Sequence, residues 1–69
     1  MKKFIKIYDN VSKESVLLDP MAIISVKESP TTCLICGETE CIIDVQGEGI
    51  YAVNESIGVL EEMIEEALS

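Results

Sequence analysis

The three cysteines are the residues of this chain whose type and spacing could do chemistry. Cys33 and Cys36 stand in the run Cys-Leu-Ile-Cys-Gly, which has the spacing of the thiolate pair in a zinc knuckle. Cys41 follows them and could act as a third ligand. The chain has no histidine and no fourth cysteine, so a four-coordinate zinc site would need another donor. The candidates for that donor are Glu38, Glu40, Asp44, water or a second chain.

Two other interpretations of these thiols stay open. They could be small buried hydrophobes or exposed loop thiols in a reducing compartment. Cys33 and Cys36 could also form a disulfide or a redox pair. A thioredoxin-like site places its cysteines at a helix N-terminus, which lowers the thiol pKa. Here Glu38 and Glu40 follow, and their charge would raise it. The only cofactor that the sequence suggests is a zinc ion at Cys33, Cys36 and Cys41.

The sequence gives little support to catalytic sites that do not use the cysteines as metal ligands or as a redox pair. Without histidine, nucleophile systems of the Ser–His or Cys–His type are impossible within one chain. The glycines of Gly47-Glu48-Gly49 precede a predicted strand rather than a helix, and Glu48 would repel phosphate, so they do not form a phosphate loop. A chain of 69 residues also has little room for a concave pocket. We therefore expect no catalytic residues and no enzymatic activity.

The charge of the chain restricts its partners. Thirteen acidic residues against five basic ones give a net charge of −8. Direct binding to nucleic acid or to an anionic membrane surface is disfavoured, because both need clustered Lys and Arg. An acidic mimic of nucleic acid that binds a basic partner remains an alternative. No apolar run reaches the length of about 18 residues that a membrane span requires, and Lys6 interrupts the N-terminal apolar stretch. We expect a cytoplasmic protein.

The elements that must position these residues begin with a C-terminal helix over about 54–68. Its apolar residues recur at steps of three and four, which places them on one face. These residues are Ile57, Leu60, Met63, Ile64, Ala67 and Leu68. Glutamates fill the opposite face, and Asn54 or Ser56 can serve as N-cap. A helix of about 14 residues is marginal alone in water, so we expect its apolar face to be buried on a sheet or a partner.

Alternating patterns and turn residues predict the strands before this helix. The predicted strands cover residues 3–8, 14–18, 22–27, 41–45 and 50–53, with Ala22, Ile24 and Val26 on one face of the third. Asp9-Asn10 and Gln46–Gly49 are predicted turns, and Ser29–Thr32 is predicted as a turn or loop. The sequence thus predicts a single α+β domain over residues 1–69. Its architecture is a small antiparallel β-meander or barrel-like sheet of five to six strands with one C-terminal amphipathic helix.

The order of these elements resembles that of the small flagellar FlbD-type proteins and of similar short proteins found in phages. The resemblance is carried by Leu18-Asp19-Pro20 leading into Ile23–Val26, and by Val53-Asn54-Glu55-Ser56 opening a terminal helix. Two positions depart from that family: Ser29–Glu38 reads as an insertion in a hairpin that is usually tight, and Val59 stands where a glutamate is common. The resemblance implies this fold and a non-enzymatic role related to phages or to motility, and it transfers no catalytic residue.

The core is thin for a stable single domain. Its aromatic residues are limited to one Phe and two Tyr, and a chain of this length buries only about 60% of its unfolded surface. Small domains usually add a metal, disulfides or a second subunit. We therefore expect a small cytoplasmic module that acts by protein–protein interaction or self-association. The alternatives are a zinc-stabilised module and the acidic nucleic-acid mimic.

Overall fold

The computed structural model describes the backbone of residues 3–33 and 37–69, and the side chains of these residues except 31–33 and 37. In this part of the chain five strands form two antiparallel sheets, and one helix follows. The α+β prediction with a small β-meander is confirmed. The elements are β1 (Ile5–Asp9), β2 (Glu14–Leu18), a 3-10 turn (Pro20–Ala22), β3 (Ile23–Cys33), β4 (Gly37–Val45), β5 (Gly49–Val53) and α1 (Ile57–Leu68).

The barrel-like alternative is wrong, because the described strands remain in two separate sheets. One sheet has the order β1–β2 and the other has the order β3–β4–β5. The break comes at Asp19-Pro20. Proline cannot donate to a strand ladder, and the Asp19 carboxylate accepts a hydrogen bond of 2.9 Å from the Met21 N–H. The resulting 3-10 turn redirects the chain, so that β3 starts a new sheet.

The strand β3 is longer than the sequence predicts. It continues through Ser29–Thr32, which the pattern predicts as a turn or loop, and it ends at Cys33 opposite Gly37. Pro30 lies in this stretch, between Glu28 and Thr31, where the register with β4 shifts. Since β3 is an edge strand of its sheet, a proline here removes no hydrogen bond that a central strand would need. The described part of the predicted insertion, residues 29–33 and 37–38, therefore extends β3 and β4.

The predicted face of β3 is also wrong in part. A second register shift lies between Ile23 and Ser25, so strict alternation fails at this point. Ile23 and Val26 both face the core side, opposite Val45 and Ile43. Ile24 is instead 62% exposed. A one-residue shift moves a side chain to the other face of a sheet, which is why the simple alternating pattern misplaced it.

The turn between β4 and β5 matches its prediction. Gly47 and Gly49 have φ angles of 81° and 95°, which side chains with a Cβ rarely adopt. After this turn β5 pairs with β4 from Gly49 opposite Val45 to Val53 opposite Cys41. Beyond Cys41 the β3–β4 hairpin has no third strand among the described residues.

The helix α1 covers the inner faces of both sheets only in part. It begins at Ile57, and the Ser56 Oγ accepts a hydrogen bond of 3.4 Å from the Val59 N–H as N-cap. Leu60 and Ala67 are buried, and the Leu60 side chain alone contributes roughly 1.5–3 kcal/mol of burial free energy. They pack in a core with side chains from four strands: Ile5, Ile7, Leu18, Cys41, Ile43, Val45 and Val53. Two members of the predicted apolar face, Ile57 and Leu68, stay exposed.

Candidate interaction surfaces

The strand register places the backbones of Cys33 and Cys41 at different points along the β3–β4 pair. Cys33 lies opposite Gly37, and Cys41 lies four residues further along β4. At about 3.3 Å per residue, this places the Cys41 backbone roughly 13 Å from the Cys33 position. Two thiolates on one zinc ion each lie about 2.3 Å from it. The register therefore does not bring Cys41 to Cys33. Cys36 and the side chain of Cys33 lie outside the described residues, and the zinc interpretation of that pair stays a prediction.

Cys41 has the surroundings of a core residue. Its side chain is 1% exposed, and it packs in the cluster that contains Ile43 and Val53. Burial raises the pKa of the Cys41 thiol, and the charges of nearby glutamates, among them Glu28 and Glu40, raise it further. A raised pKa keeps the thiol protonated, whereas zinc binds the thiolate. These surroundings fit the interpretation of Cys41 as a small buried hydrophobe.

The carboxylates do not cluster into a further chemical site in the part of the chain that the structure describes. Among those residues there is no group of three or more Cys, Asp or Glu side chains positioned to hold a metal ion. Glu48 instead accepts a hydrogen bond of 3.0 Å from the Tyr51 hydroxyl, across the β4–β5 turn. That hydrogen bond, with a smaller effect of burial, raises the pKa of Tyr51. Nothing in this pair differs from an ordinary surface turn.

Two buried polar side chains, those of Asp9 and Asn10, join the two sheets. We name them, together with their partners Asn54 and the backbone of Glu38 and Ala52, the polar junction. The Asp9 carboxylate accepts hydrogen bonds from the backbone N–H groups of Ala52 at 3.0 Å, Ser12 at 3.1 Å and Val11 at 3.3 Å. Burial by itself raises the pKa of the Asp9 carboxyl, but these hydrogen bonds outweigh burial, and the pKa lies below its ordinary value of 3.8.

Asn10 completes the polar junction. Its backbone N–H donates to the Ala52 carbonyl at 2.8 Å, and its Nδ2 donates to the Glu38 carbonyl at 2.8 Å and to the Asn54 Oδ1 at 2.7 Å. The sequence predicts a turn at Asp9-Asn10. It does not predict the hydrogen-bond partners of the Asn10 side chain, because these lie 28 and 44 residues away in the chain. Since all these donors and acceptors are used within the chain, the polar junction is a structural feature.

The outer side of the β1–β2 ribbon carries large exposed apolar and aromatic side chains beside Lys6. Tyr8 and Lys6 point away from the core there, and Leu17 lies directly opposite Lys6. Leu17 is 65% exposed, Phe4 is 60% exposed and Tyr8 is 47% exposed. Diagonal neighbours on a two-stranded ribbon are about 7–8 Å apart, close enough for aromatic and long side chains to meet. We name Phe4, Tyr8 and Leu17 the ribbon face. The strand pattern in the sequence predicts this outward side, but not that it stays uncovered.

A groove runs between α1 and β3, and we name it the helix groove. It has a volume of about 260 Å³ and is lined by Val26, Ile57, Glu61, Ile64 and Glu65. Val26 and Ile64 are half-buried, whereas Ile57 and both glutamates are exposed. The groove is thus an apolar floor with two carboxylates at its rim. The groove is open because the sheets bury only part of the apolar stripe of α1.

A second hollow lies on the opposite flank of α1, where the helix meets the start of β1. Its lining includes Lys3, Lys6, Met63, Glu66 and also Phe4, which the hollow shares with the ribbon face, and its volume is about 280 Å³. Basic and acidic groups are mixed in this hollow, so it lacks the single sign of charge that the rim of the helix groove has. We regard it as the seam where α1 packs on β1.

No family model matches the sequence, and no curated protein or solved structure matches it. In the described part of the chain, no helix is both long enough and apolar enough to cross a membrane.

Proposed function

We propose that this protein is a small, non-enzymatic interaction or adaptor module that works in the cytoplasm by binding a protein partner. The observation that supports the proposal is the amount of large apolar side chain left in solvent. Ten large hydrophobic residues among those described are exposed, a set as large as the buried hydrophobic core. Single exposed apolar residues are ordinary, whereas contiguous ones mark interaction surfaces.

Some of these exposed residues lie on the two surfaces described above. On the ribbon face, Tyr8 and Leu17 are exposed on the two-stranded sheet, and Phe4 is exposed immediately before β1. Ile57 lines the helix groove, and Leu68 is exposed near the C-terminal end of the same helix. A domain of this size gains little stability from its own core. A partner that covers either surface would add burial at roughly 25 cal/mol per Å² of apolar area.

The nature of the partner follows from charge and from the thiols. A net charge of −8 disfavours nucleic acid and anionic membrane, so the partner is a protein, either a second copy or another chain. The buried, unpaired Cys41 fits a reducing compartment, which is the basis for placing the protein in the cytoplasm. The resemblance to FlbD-type and phage proteins suggests that flagellar or phage assemblies are the place to search first.

Site-specific photo-crosslinking tests the proposal. A photoreactive amino acid replaces Leu17 on the ribbon face or, in a second variant, Ile57 in the helix groove. In a matched control variant it replaces Gln46, which is exposed at the β4–β5 turn. We expect the Leu17 variant to yield a discrete crosslinked product in cells and the Gln46 variant to yield none. Light scattering on the purified protein then separates self-association from binding to another chain. A protein that stays monomeric at high concentration, with no discrete product from position 17 or from position 57, would refute the proposal.

A further inference from the structure

We propose that the helix groove binds a basic amphipathic helix of the partner, with apolar side chains on the groove floor and Lys or Arg at its rim. This inference rests on the proposed function, since it assumes a protein partner, and it specifies where and how that partner binds. Its basis is the combination of an uncovered apolar stripe with a rim of one sign of charge, formed by Val26, Ile57, Ile64, Glu61 and Glu65.

The spacing along α1 suits a helix as the occupant. Ile57 and Ile64 are seven residues apart, which is about 10.5 Å or two helical turns. Leu60 between them is fully buried against the sheet, and Leu68 continues the stripe one turn further at 51% exposure. This is the spacing at which two helices interlock side by side, each inserting apolar side chains between those of the other.

The charge at the rim selects the kind of helix. Glu61 and Glu65 lie one turn apart beside the apolar stripe, and α1 contains four glutamates and no basic residue. Lys or Arg on a partner helix can pair with them, at roughly 0.2–1 kcal/mol for each exposed pair. A second copy docking the same face would bring these glutamates against their equivalents, which is unfavourable. An anionic lipid surface is repelled in the same way.

The dimensions favour a peptide over a small molecule. The volume of about 260 Å³ lies below the range of about 300–1,000 Å³ that is typical of small-molecule sites. The groove lies along the outside of the helix, and Ile57 at its end is 36% exposed. Such a shallow apolar floor accommodates two or three side chains of a longer segment rather than enclosing a ligand.

The test uses a designed probe and a charge-matched pair of variants. The probe is an end-capped peptide of about 14 residues, with Leu at positions spaced by three and four and Lys at the others. Its affinity is measured by titration followed with amide NMR shifts. Glu61→Gln/Glu65→Gln removes the rim charges, whereas Glu62→Gln/Glu66→Gln removes the same charge from other positions of the helix. We expect the first to weaken binding roughly fivefold to tenfold, as two exposed ion pairs allow, and the second to weaken it less than about twofold.

A second pair of variants tests the apolar floor. Ile57→Ser removes a side chain that lines the groove, and Val59→Ser removes an exposed apolar side chain of the same helical turn that does not line it. We expect Ile57→Ser to weaken binding by about threefold or more and Val59→Ser to leave it unchanged. Thermal melts of both variants confirm that α1 remains folded.

Three results would overturn the inference. One is the absence of any shift change up to about 1 mM peptide, and another is an equal loss of affinity for the two double glutamate variants, which would indicate non-specific attraction. The third is equal binding of an analogue with Glu in place of every Lys. If the groove fails in these ways while position 17 still crosslinks to a partner, the proposed function stands and the partner binds at the ribbon face.

Discussion

The polar junction and the helix groove differ in whether their side chains have partners within the chain. At the polar junction, buried polar groups are paired: the Asp9 carboxylate accepts three backbone hydrogen bonds, and the Asn10 side chain donates two. In the helix groove, apolar groups such as Ile57 lie in solvent without a cover in the described chain. An unpaired buried polar group costs about 1–3 kcal/mol, so the polar junction serves folding. An uncovered apolar groove gives the monomer no stability, which is why we look to it for binding.

Removing the Asp9 carboxylate should produce the largest effect on stability. Asp9→Ala leaves the Ala52 N–H buried without its acceptor and releases the turn N–H groups of Val11 and Ser12. We expect a loss of about 3 kcal/mol, out of a total of roughly 3–10 kcal/mol for a domain of this length. Urea denaturation followed by circular dichroism measures it. Glu14→Ala, at the exposed position opposite Asp9 in the ribbon, is the control. Equal losses for the two variants would contradict the role given to the polar junction.

The Asp9 carboxylate also makes the unfolding free energy depend on pH. The loss of stability on protonation cannot exceed the loss caused by removing the carboxylate. Because hydrogen bonds hold the folded-state pKa of Asp9 below 3.8, its contribution to stability is complete above that pH. The contribution is lost as the pH falls through the lower folded-state pKa. Urea midpoints of the native protein and of Asp9→Asn, measured at a series of pH values from neutral downward, should converge below pH 3.8. A constant difference across this range would show that the carboxylate charge is not the stabilising group.

The core thiol provides the next largest effect. Cys41→Ser places a hydroxyl among Ile43 and Val53, and we expect a loss of about 2 kcal/mol. Cys41→Ala keeps the site apolar and should cost less. Thermal melts with and without a chelator should show the same loss, because the Cys41 thiol packs in the core away from the Cys33 register position. A loss that disappears in chelator would instead support Cys41 as a zinc ligand.

Thr39 has a buried hydroxyl that, unlike the polar groups of the polar junction, lacks a hydrogen-bond partner among the described residues. Thr39→Val replaces this hydroxyl with a methyl group of similar shape, so we expect a gain of about 1 kcal/mol in unfolding free energy. The measurement is again urea denaturation. The control is Ser15→Ala on the ribbon, which removes a hydroxyl that is exposed rather than buried. A loss of stability in Thr39→Val would mean that the hydroxyl is paired in solution.

The smallest effect on folding is expected at the ribbon face. Leu17→Ser exchanges a side chain that is 65% exposed, so the unfolding free energy should change by less than about 0.5 kcal/mol. The same substitution should abolish the crosslink that a photoreactive residue at Tyr8 forms with the partner. A large loss of stability would show that Leu17 contributes to the fold, and an undiminished crosslink would remove the ribbon face from the interface.

Much of the fold could be predicted from local patterns. The alternation of Ile5 and Ile7, the glycines at the β4–β5 turn and the stripe of α1 each act over a few residues, and each predicted its element. The α+β class follows from them. The path of β3 through Ser29–Thr32 does not, because Pro30 normally ends a strand and is tolerated here only at a register shift on an edge.

The candidate surfaces likewise have features that the sequence predicts and features that only the tertiary structure shows. The sequence by itself determined that α1 has a wide apolar stripe with glutamates beside it, since a period of 3.6 residues places Ile57, Ile64 and Glu61 on neighbouring lines of the helix. Only the tertiary structure decided which part of that stripe the sheets bury. The polar junction likewise depends on Asp9 meeting Ala52, 43 residues later in the chain. Contacts at such separations are set by how the two sheets pack, and local patterns carry no record of them.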